Sequence, residues 1–314
     1  MMSVFGLVSA QDDAVYPVTV ESCGVETTYE AAPERVLTFD TSFLEIMLEL
    51  GLRDRVIGTW PDPAERIGEA YTDLVTDLAI VSEESWPPPG LETILSFDPD
   101  FVYGGYGYVF SEESGVTPES LAEAGVNSYT LVESCIAAEA GMIDPSMETI
   151  YTDIRNIGAI FGVSERAEEV IAEMEANVQA VQEQLGDVDT PLRVFYFGGG
   201  DAAPFTTGRY GMPTALIGAA GGENILIDVE DDWTEVSWET VIAADPEVII
   251  LETSSWATAE DRIAELMAVT ALADVTAIRE GRFVELPYLM AIPSLRNDDS
   301  VALLAAAFYP ERFE

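Results

Sequence analysis

Apolar and polar positions alternate in two different ways along this chain, and the alternation divides it. From Val36 to Val132 short β-branched or aromatic runs are separated by helical stretches and by turns rich in Gly, Pro and Asp. Val36–Phe39, Val56–Trp60, Phe101–Tyr103 and Ser128–Val132 read as buried strands, while 43–50 and 118–124 carry helical spacing. Ser42 stands where it can cap the first of these helices, which stops at Gly51. Upstream, residues 16–31 alternate like a small hairpin around Cys23-Gly24. Between 147 and 185 the pattern is helical with one break, at Gly162-Val163-Ser164. Val170, Ile171, Met174, Val178, Val181 and Leu185 form an apolar stripe there. About 21 residues at helical rise make a rod of roughly 30 Å. Such a rod either crosses between two lobes or lies as a surface helix on one. Strand–helix alternation resumes at Leu192 and continues to the end.

One segment occurs twice. Leu91-Glu-Thr-Ile-Leu-Ser-Phe-Asp-Pro-Asp-Phe-Val-Tyr103 returns as Trp238-Glu-Thr-Val-Ile-Ala-Ala-Asp-Pro-Glu-Val-Ile-Ile250. In each copy a helical turn opens on Glu-Thr, Asp-Pro breaks it, and an apolar run follows as a strand. The repeat predicts two similar lobes, and a cleft between lobes is where ligands bind. The expected boundaries are 1–10 for a leader remnant, 11–163 for the first lobe, 164–186 for the connecting helix and 187–314 for the second lobe.

Charge narrows the function. Asp and Glu number 58 against 13 basic residues, all of them Arg, for a net charge of −45 with no His. Such a surface repels nucleic acid and offers no basic stripe for phosphates. Self-repulsion on this scale is relieved by salt, so a saline habitat is expected, with a thermal melt that rises with salt. Without imidazole there is no Ser-His-Asp or Cys-His hydrolase and no His-rich zinc site. Asp228–Glu235 is acid-dense but lacks the spacing of a calcium loop. Gly198-Gly-Gly-Asp201 lacks the spacing of a phosphate loop and reads as a plain turn or a close approach to ligand. No catalytic, metal or cofactor set emerges.

Met1–Ala10 is small and apolar and ends Val-Ser-Ala, like the tail of a secretory signal. No lipid-attachment cysteine stands beside it. Cys23 and Cys135 are the two cysteines; an even pair in an exported chain favours a disulfide, the alternative being two separate buried thiols. A bridge over that separation contributes about 4–5 kcal/mol in the chain-entropy model.

Several segments resemble the iron-siderophore and cobalamin class of periplasmic substrate-binding proteins that serve ABC importers. They are Pro33-Glu-Arg-Val36, Phe43–Leu52, Asp54–Thr59 and Leu91–Asp100 in the first half, then Ala220–Asn224, Val236–Glu239 and Asp245–Ile249 in the second. The resemblance implies two Rossmann-like α/β lobes joined by a single long helix, with the ligand held between them. It implies an extracytoplasmic monomer that delivers a ferric siderophore or related chelate to a permease dimer and its ATPase. Cobalamin or haem is the alternative cargo. A ligand sensor, or a carboxylate-dependent enzyme on the same scaffold, is the reading from another class. It also implies that Glu92 and Glu239 dock onto the permease; each is equally a helix-start Glu favoured by the macrodipole.

Ligands in open α/β sheets sit beyond the carboxyl ends of strands. The loops there supply Asp40, Thr41, Trp60, Tyr106 and Tyr108 in the first half, and Phe205, Arg209, Tyr210, Trp256, Tyr288 and Arg296 in the second. The aromatics suit a large planar ligand. Arg209 and Arg296 suit a ligand carboxylate or catecholate, or else salt bridges to nearby acids.

Overall fold

The computed structural model describes residues 16–64, 66–84, 86–144 and 146–313; the apolar leader lies outside them. An antiparallel hairpin, β1 (Val18–Ser22) with β2 (Val25–Tyr29), comes first. Tyr16 donates to the Ile160 carbonyl at 2.8 Å and Asn156 to that of Glu21 at 3.1 Å, seating the hairpin on the first lobe. Cys23 at its tip is disulfide-bonded to Cys135, so the two cysteines form one bridge rather than two thiols.

The first lobe runs β3 (Val36–Thr38), α1 (Thr41–Glu49), β4 (Val56–Thr59), α2 (Thr72–Val75), β5 (Ala79–Ile80), α3 (Leu91–Leu95), β6 (Phe101–Gly104), α4 (Pro118–Glu123), β7 (Asn127–Thr130) and α5 (Glu148–Phe161). Its strands form one parallel sheet in the order β5-β4-β3-β6-β7. The long helix α6 (Ser164–Leu185) follows. The second lobe holds β8 (Leu192–Phe197), β9 (Phe205–Thr207), α7 (Met212–Ala219), β10 (Gly222–Asn224), β11 (Trp233–Glu235), α8 (Trp238–Ala244), β12 (Val248–Thr253), α9 (Ala259–Ala268), α10 (Thr276–Glu280), β13 (Phe283–Pro287), α11 (Tyr288–Ala291) and α12 (Asn297–Phe308). Its main sheet is parallel in the order β10-β8-β12-β13, and β9 pairs with β11 as a separate antiparallel ribbon.

Helix α6 touches both lobes. It packs against α5 on one side and α12 on the other. Arg166 near its start pairs with Glu49 of α1, and Asn177 farther along donates to Asp298 of α12 at 2.7 Å. Its apolar stripe joins the inner faces of the two sheets into one continuous core, from Val36 and Tyr103 through Ile171 and Val178 to Tyr196 and Leu304. The outer faces have separate cores, around Phe39, Ile94 and Leu121 in one lobe and Phe197, Val241 and Leu266 in the other. Burial of both faces explains why the strands read as apolar runs rather than alternating ones.

The repeated segment superimposes on this plan: α3–β6 matches α8–β12, and β3 and β8 are the neighbouring central strands. In both copies the aspartate before proline takes the left-handed region, Asp98 at φ 50° and Asp245 at φ 44°. In both, an arginine at the start of the central strand, Arg35 just before β3 and Arg193 second in β8, donates to carbonyls at or just past the helix end. Arg35 reaches Asp98 at 2.5 Å and Phe97 at 2.7 Å; Arg193 reaches Asp245 at 3.0 Å and Ala244 at 3.2 Å. These bonds occupy carbonyls that helix ends leave open.

The cap of α1 differs from expectation. Asp40, not Ser42, is its N-cap, and the carboxylate accepts the Ser42 N–H at 2.9 Å. The helix begins two residues earlier than the apolar spacing implies, which carries Asp40 to the edge of the cleft.

Candidate functional site

The carboxyl ends of the two sheets face a cavity of about 820 Å³. Asp40, at the end of β3 and the start of α1, lines it together with Tyr108 and Tyr288. The Tyr288 hydroxyl comes from the second lobe and stands 3.5 Å from the Asp40 carboxylate. Burial raises the Asp40 pKa, opposed by its hydrogen bonds to Ser42. Trp60 follows β4 and is nearly enclosed, its indole N–H donating to the Glu84 carbonyl at 2.7 Å. That bond ties the loop after β4 to the loop after β5; the first carries Asp62 and Arg66 into the wall, the second Glu83 and Trp86.

Two indoles stand out. Among the described residues Trp86 and Trp256 are the most exposed aromatics, at 72% and 59%, and they flank the cavity from opposite lobes. The Arg66 guanidinium lies 4.7 Å from the Trp256 ring centre, a cation–π contact that crosses the cleft. A second cavity of about 720 Å³ shares Trp86, Gly107 and Tyr108 with the first and continues over Pro87, Pro88, Tyr106 and Phe110.

Of the residues anticipated from sequence, the cavities gather Asp40, Trp60, Tyr106, Tyr108, Trp256 and Tyr288. Thr41 lies fully buried in α1, its hydroxyl without a partner. Phe205 is in the ribbon and stacks on Trp233 at 5.8 Å. Tyr210 borders a small crevice with Glu133 and Met142 instead of the main cavity. Arg209 pairs with Asp144 at 2.5 Å, and Arg296 takes Glu45 with two nitrogens, Nε at 3.1 Å. Both pairs join the lobes, the salt-bridge alternative that the sequence left open; Arg209 does not line the main cavity, whereas Arg296 also borders a small recess beside Trp256. Glu45 is enclosed, at 2% side-chain exposure, whereas Asp144 is open at 84%. The Gly198–Gly200 turn also finds its partner inside the chain: a Cβ on Gly199 would stand 2.1 Å from Arg262.

A third tie is a buried carboxyl. Glu133, after β7, accepts the Met212 N–H at the start of α7 at 2.5 Å, and lies 3.4 Å from the Trp233 indole nitrogen and 3.3 Å from the Tyr108 hydroxyl. Burial pushes its pKa up to about 8, against the pull of these donors.

Sequence reading passes over Asp62 and Arg66, on the loop after β4, and Glu83 and Trp86, on the loop after β5. The signal for those loops was their density of Trp and Pro, in Trp60-Pro-Asp-Pro63 and Trp86-Pro-Pro-Pro89. Glu92 and Glu239 are exposed in the first turns of α3 and α8, at matching places in the repeat. Among the described residues no group of three or more acidic, Cys or His side chains could hold a metal ion, and no helix is long and apolar enough to cross a membrane.

A family model described as periplasmic binding protein matches residues 36–288. A cobalamin-binding protein of Halobacterium salinarum is 28% identical over 243 residues, covering 76% of this chain and 60% of that protein. The chain thus spans about 60% of that relative's length. An uncharacterised ABC transporter substrate-binding lipoprotein of Bacillus subtilis is 21% identical over 313 residues, covering 97% and 89%. Among solved structures, a periplasmic binding protein from Veillonella parvula has a TM-score of 0.78 at 27% identity, covering 93% of this chain and 97% of that one.

Proposed function

The chain belongs to the periplasmic binding protein family, and from that membership we propose that it captures a corrinoid of the cobalamin type for an ABC importer. One observation carries the reading. Trp86 and Trp256 face one cavity from the two lobes, and among the described residues its charged wall is Asp40, Asp62 and Glu83 against Arg66. Opposed aromatic faces grip a broad, flat ligand. The acidic wall disfavours a polyanion, because each unpaired like charge in a cleft costs binding energy. Arg209 and Arg296, the cations that a catecholate or haem carboxylates would need, are engaged by Asp144 and Glu45. Cyanocobalamin is net neutral and rimmed with amides, which hydrogen-bond to carboxylates. The two adjoining cavities, about 820 and 720 Å³, exceed the needs of a drug-sized molecule and suit a ligand of this bulk. The cobalamin-binding relative supports the same choice.

A ferric hydroxamate is the second reading, favoured by the same acidic wall because such chelates carry little negative charge. The deciding experiment is titration of the purified protein with cyanocobalamin, a ferric hydroxamate, a ferric catecholate and haem, followed by tryptophan fluorescence. Cyanocobalamin should bind tightest and the catecholate weakest. Tighter binding of haem or the catecholate would overturn the corrinoid assignment.

The same membership supports an extracytoplasmic location and docking of Glu92 and Glu239 on the two like subunits of a permease. Reversing both charges should abolish uptake while leaving ligand affinity unchanged. Full uptake by the double variant would refute the docking role.

A further inference from the structure

Beside Trp256 the main cavity adjoins a recess of about 170 Å³ at the seam of the lobes. Arg66 of the first lobe and Arg296 of the second line it together with residues 253–256. Among the described residues no carboxylate lines it, in a chain with 58 acidic residues. Of the thirteen arginines, Arg66 and Arg282 alone form no ion pair among the described residues. The Arg66 guanidinium lies over Trp256, and none of its N–H groups donates within the described chain. Arg296 uses Nε and Nη2 on Glu45 and the Arg66 carbonyl, which leaves Nη1 uncommitted. The Ser254 hydroxyl, on the loop that carries Trp256, is buried and has no partner. Buried polar atoms in folded proteins are nearly all hydrogen-bonded, and of the four unpartnered ones among the described residues Ser254 is the one that lines this recess.

We propose that this recess is a subsite for one phosphodiester group carried by the ligand. The proposal rests on the corrinoid reading. A cobalamin is a zwitterion, with positive charge at the metal-bearing macrocycle and a phosphodiester in its nucleotide loop. The cleft is laid out to match: Asp40, Asp62 and Glu83 line the main cavity, and the uncommitted arginine edges lie at its Trp256 end. A planar guanidinium backed by an indole presents paired donors to two phosphate oxygens. The recess has room for one such group, so a ligand with two carboxylates would leave one of them facing the acidic wall.

The test compares cyanocobalamin with cobinamide, the same macrocycle lacking the phosphodiester and nucleotide, on the full chain and on Arg66→Gln and Ser254→Ala. The native chain should bind cyanocobalamin at least about tenfold tighter than cobinamide, the effect expected of a charge-assisted hydrogen-bonded pair. Arg66→Gln should bring the ratio to about one, and Ser254→Ala should reduce it by a smaller factor. An unchanged ratio in Arg66→Gln would overturn the subsite. If the native chain binds neither corrinoid, the corrinoid reading fails by itself, and inorganic phosphate becomes the probe. Phosphorus line broadening with the native chain and not with Arg66→Gln would then support an anion subsite for free phosphate; equal broadening or none would reject it.

Discussion

The two lobes share one plan and put it to different uses. Each has a parallel sheet, a Glu-Thr helix, a left-handed aspartate before proline and an arginine closing the helix end. At the cleft the likeness stops. Of the thirteen described residues lining the main cavity, ten come from the first lobe, mostly from the irregular loops that follow β4 and β5. The second lobe contributes Ser255, Trp256 and Tyr288. Where it has a comparable strand-end turn, Gly198–Gly200, Arg262 packs against the backbone. Backbone rules that close a helix onto a strand are the same in both halves, so that part of the repeat persisted. Loops that face a ligand are free to diverge, and here one lobe forms the wall and the other closes it with an indole and salt bridges.

The largest expected effect tests a carboxyl between the lobes against one within the first. Burial pushes Glu133 up to about 8, and it pushes Asp153, which accepts from Tyr129 and from the Val132 N–H, up to about 7. A carboxyl whose folded pKa stands above its unfolded value holds its proton more tightly when folded. Its contribution is therefore complete below the ordinary carboxylate range and is lost as pH rises toward the folded value. Each such group gives a slope of up to about 1.4 kcal/mol per pH unit. Urea denaturation in constant salt should show stability falling between about pH 5 and pH 8. Glu133→Gln and Asp153→Asn should each flatten part of that fall, Glu133→Gln the part extending to higher pH. A full slope in Glu133→Gln would mean that the carboxyl is solvated and that the lobes are not tied there.

The two interlobe salt bridges come next. Glu45 is enclosed and also accepts the Gly68 N–H at 2.7 Å, whereas Asp144 is open to solvent. Glu45→Ala leaves Arg296 short of a partner at the seam and should cost about 3 kcal/mol or more. Asp144→Ala should cost between about 0 and 1 kcal/mol. Equal costs in denaturation would contradict the difference in burial. The tryptophans extend the contrast to binding. Trp86→Ala and Trp256→Ala should each weaken ligand affinity by about 2 kcal/mol with little change in stability, since both rings are exposed. A loss confined to Trp256→Ala would show that the first-lobe indole belongs to the surface and not to the grip.

Much of this was legible because the physics was local. Strand and helix order follows from apolar runs and their period, and the duplicated plan from an identical Glu-Thr to Asp-Pro spacing. The bridge between Cys23 and Cys135 followed from an even count. The site was legible only in part. Strand-end loops gave Asp40, Trp60, Tyr108, Trp256 and Tyr288, because sheet topology puts those ends in the cleft. For Arg209 and Arg296 the sequence left ligand contact and salt bridge open, because a side chain's partner is a tertiary fact: Glu45 is 251 residues from Arg296 in sequence. Arg66 and Trp86 were missed because no periodicity says which way an irregular Pro-rich loop turns.

The smallest effect bears most directly on the repeat. Asp98 and Asp245 hold the same left-handed conformation before proline, but their carboxylates differ. That of Asp98 is 97% exposed and stands 3.8 Å from Arg35. That of Asp245 accepts the Thr276 N–H at 2.8 Å and its hydroxyl at 3.0 Å, filling an open donor at the start of α10. Those bonds hold the Asp245 pKa below the usual carboxylate range, so its contribution is present near neutral pH and lost on acidification. Replacing each by Asn keeps a residue tolerant of the left-handed region while removing the charge and one of the two acceptor oxygens. Asp245→Asn should cost about 1 kcal/mol near neutral pH, and less in acid, where the native carboxylate is itself protonated. Asp98→Asn should cost nearly nothing at any pH, since its conformation is kept and Arg35 holds the backbone carbonyl in either case. Equal costs would mean that the aspartate is required by the turn alone. Unequal costs, with the deficit of Asp245→Asn fading in acid, would mean that the second lobe found a new use for a carboxylate that the first lobe leaves in water.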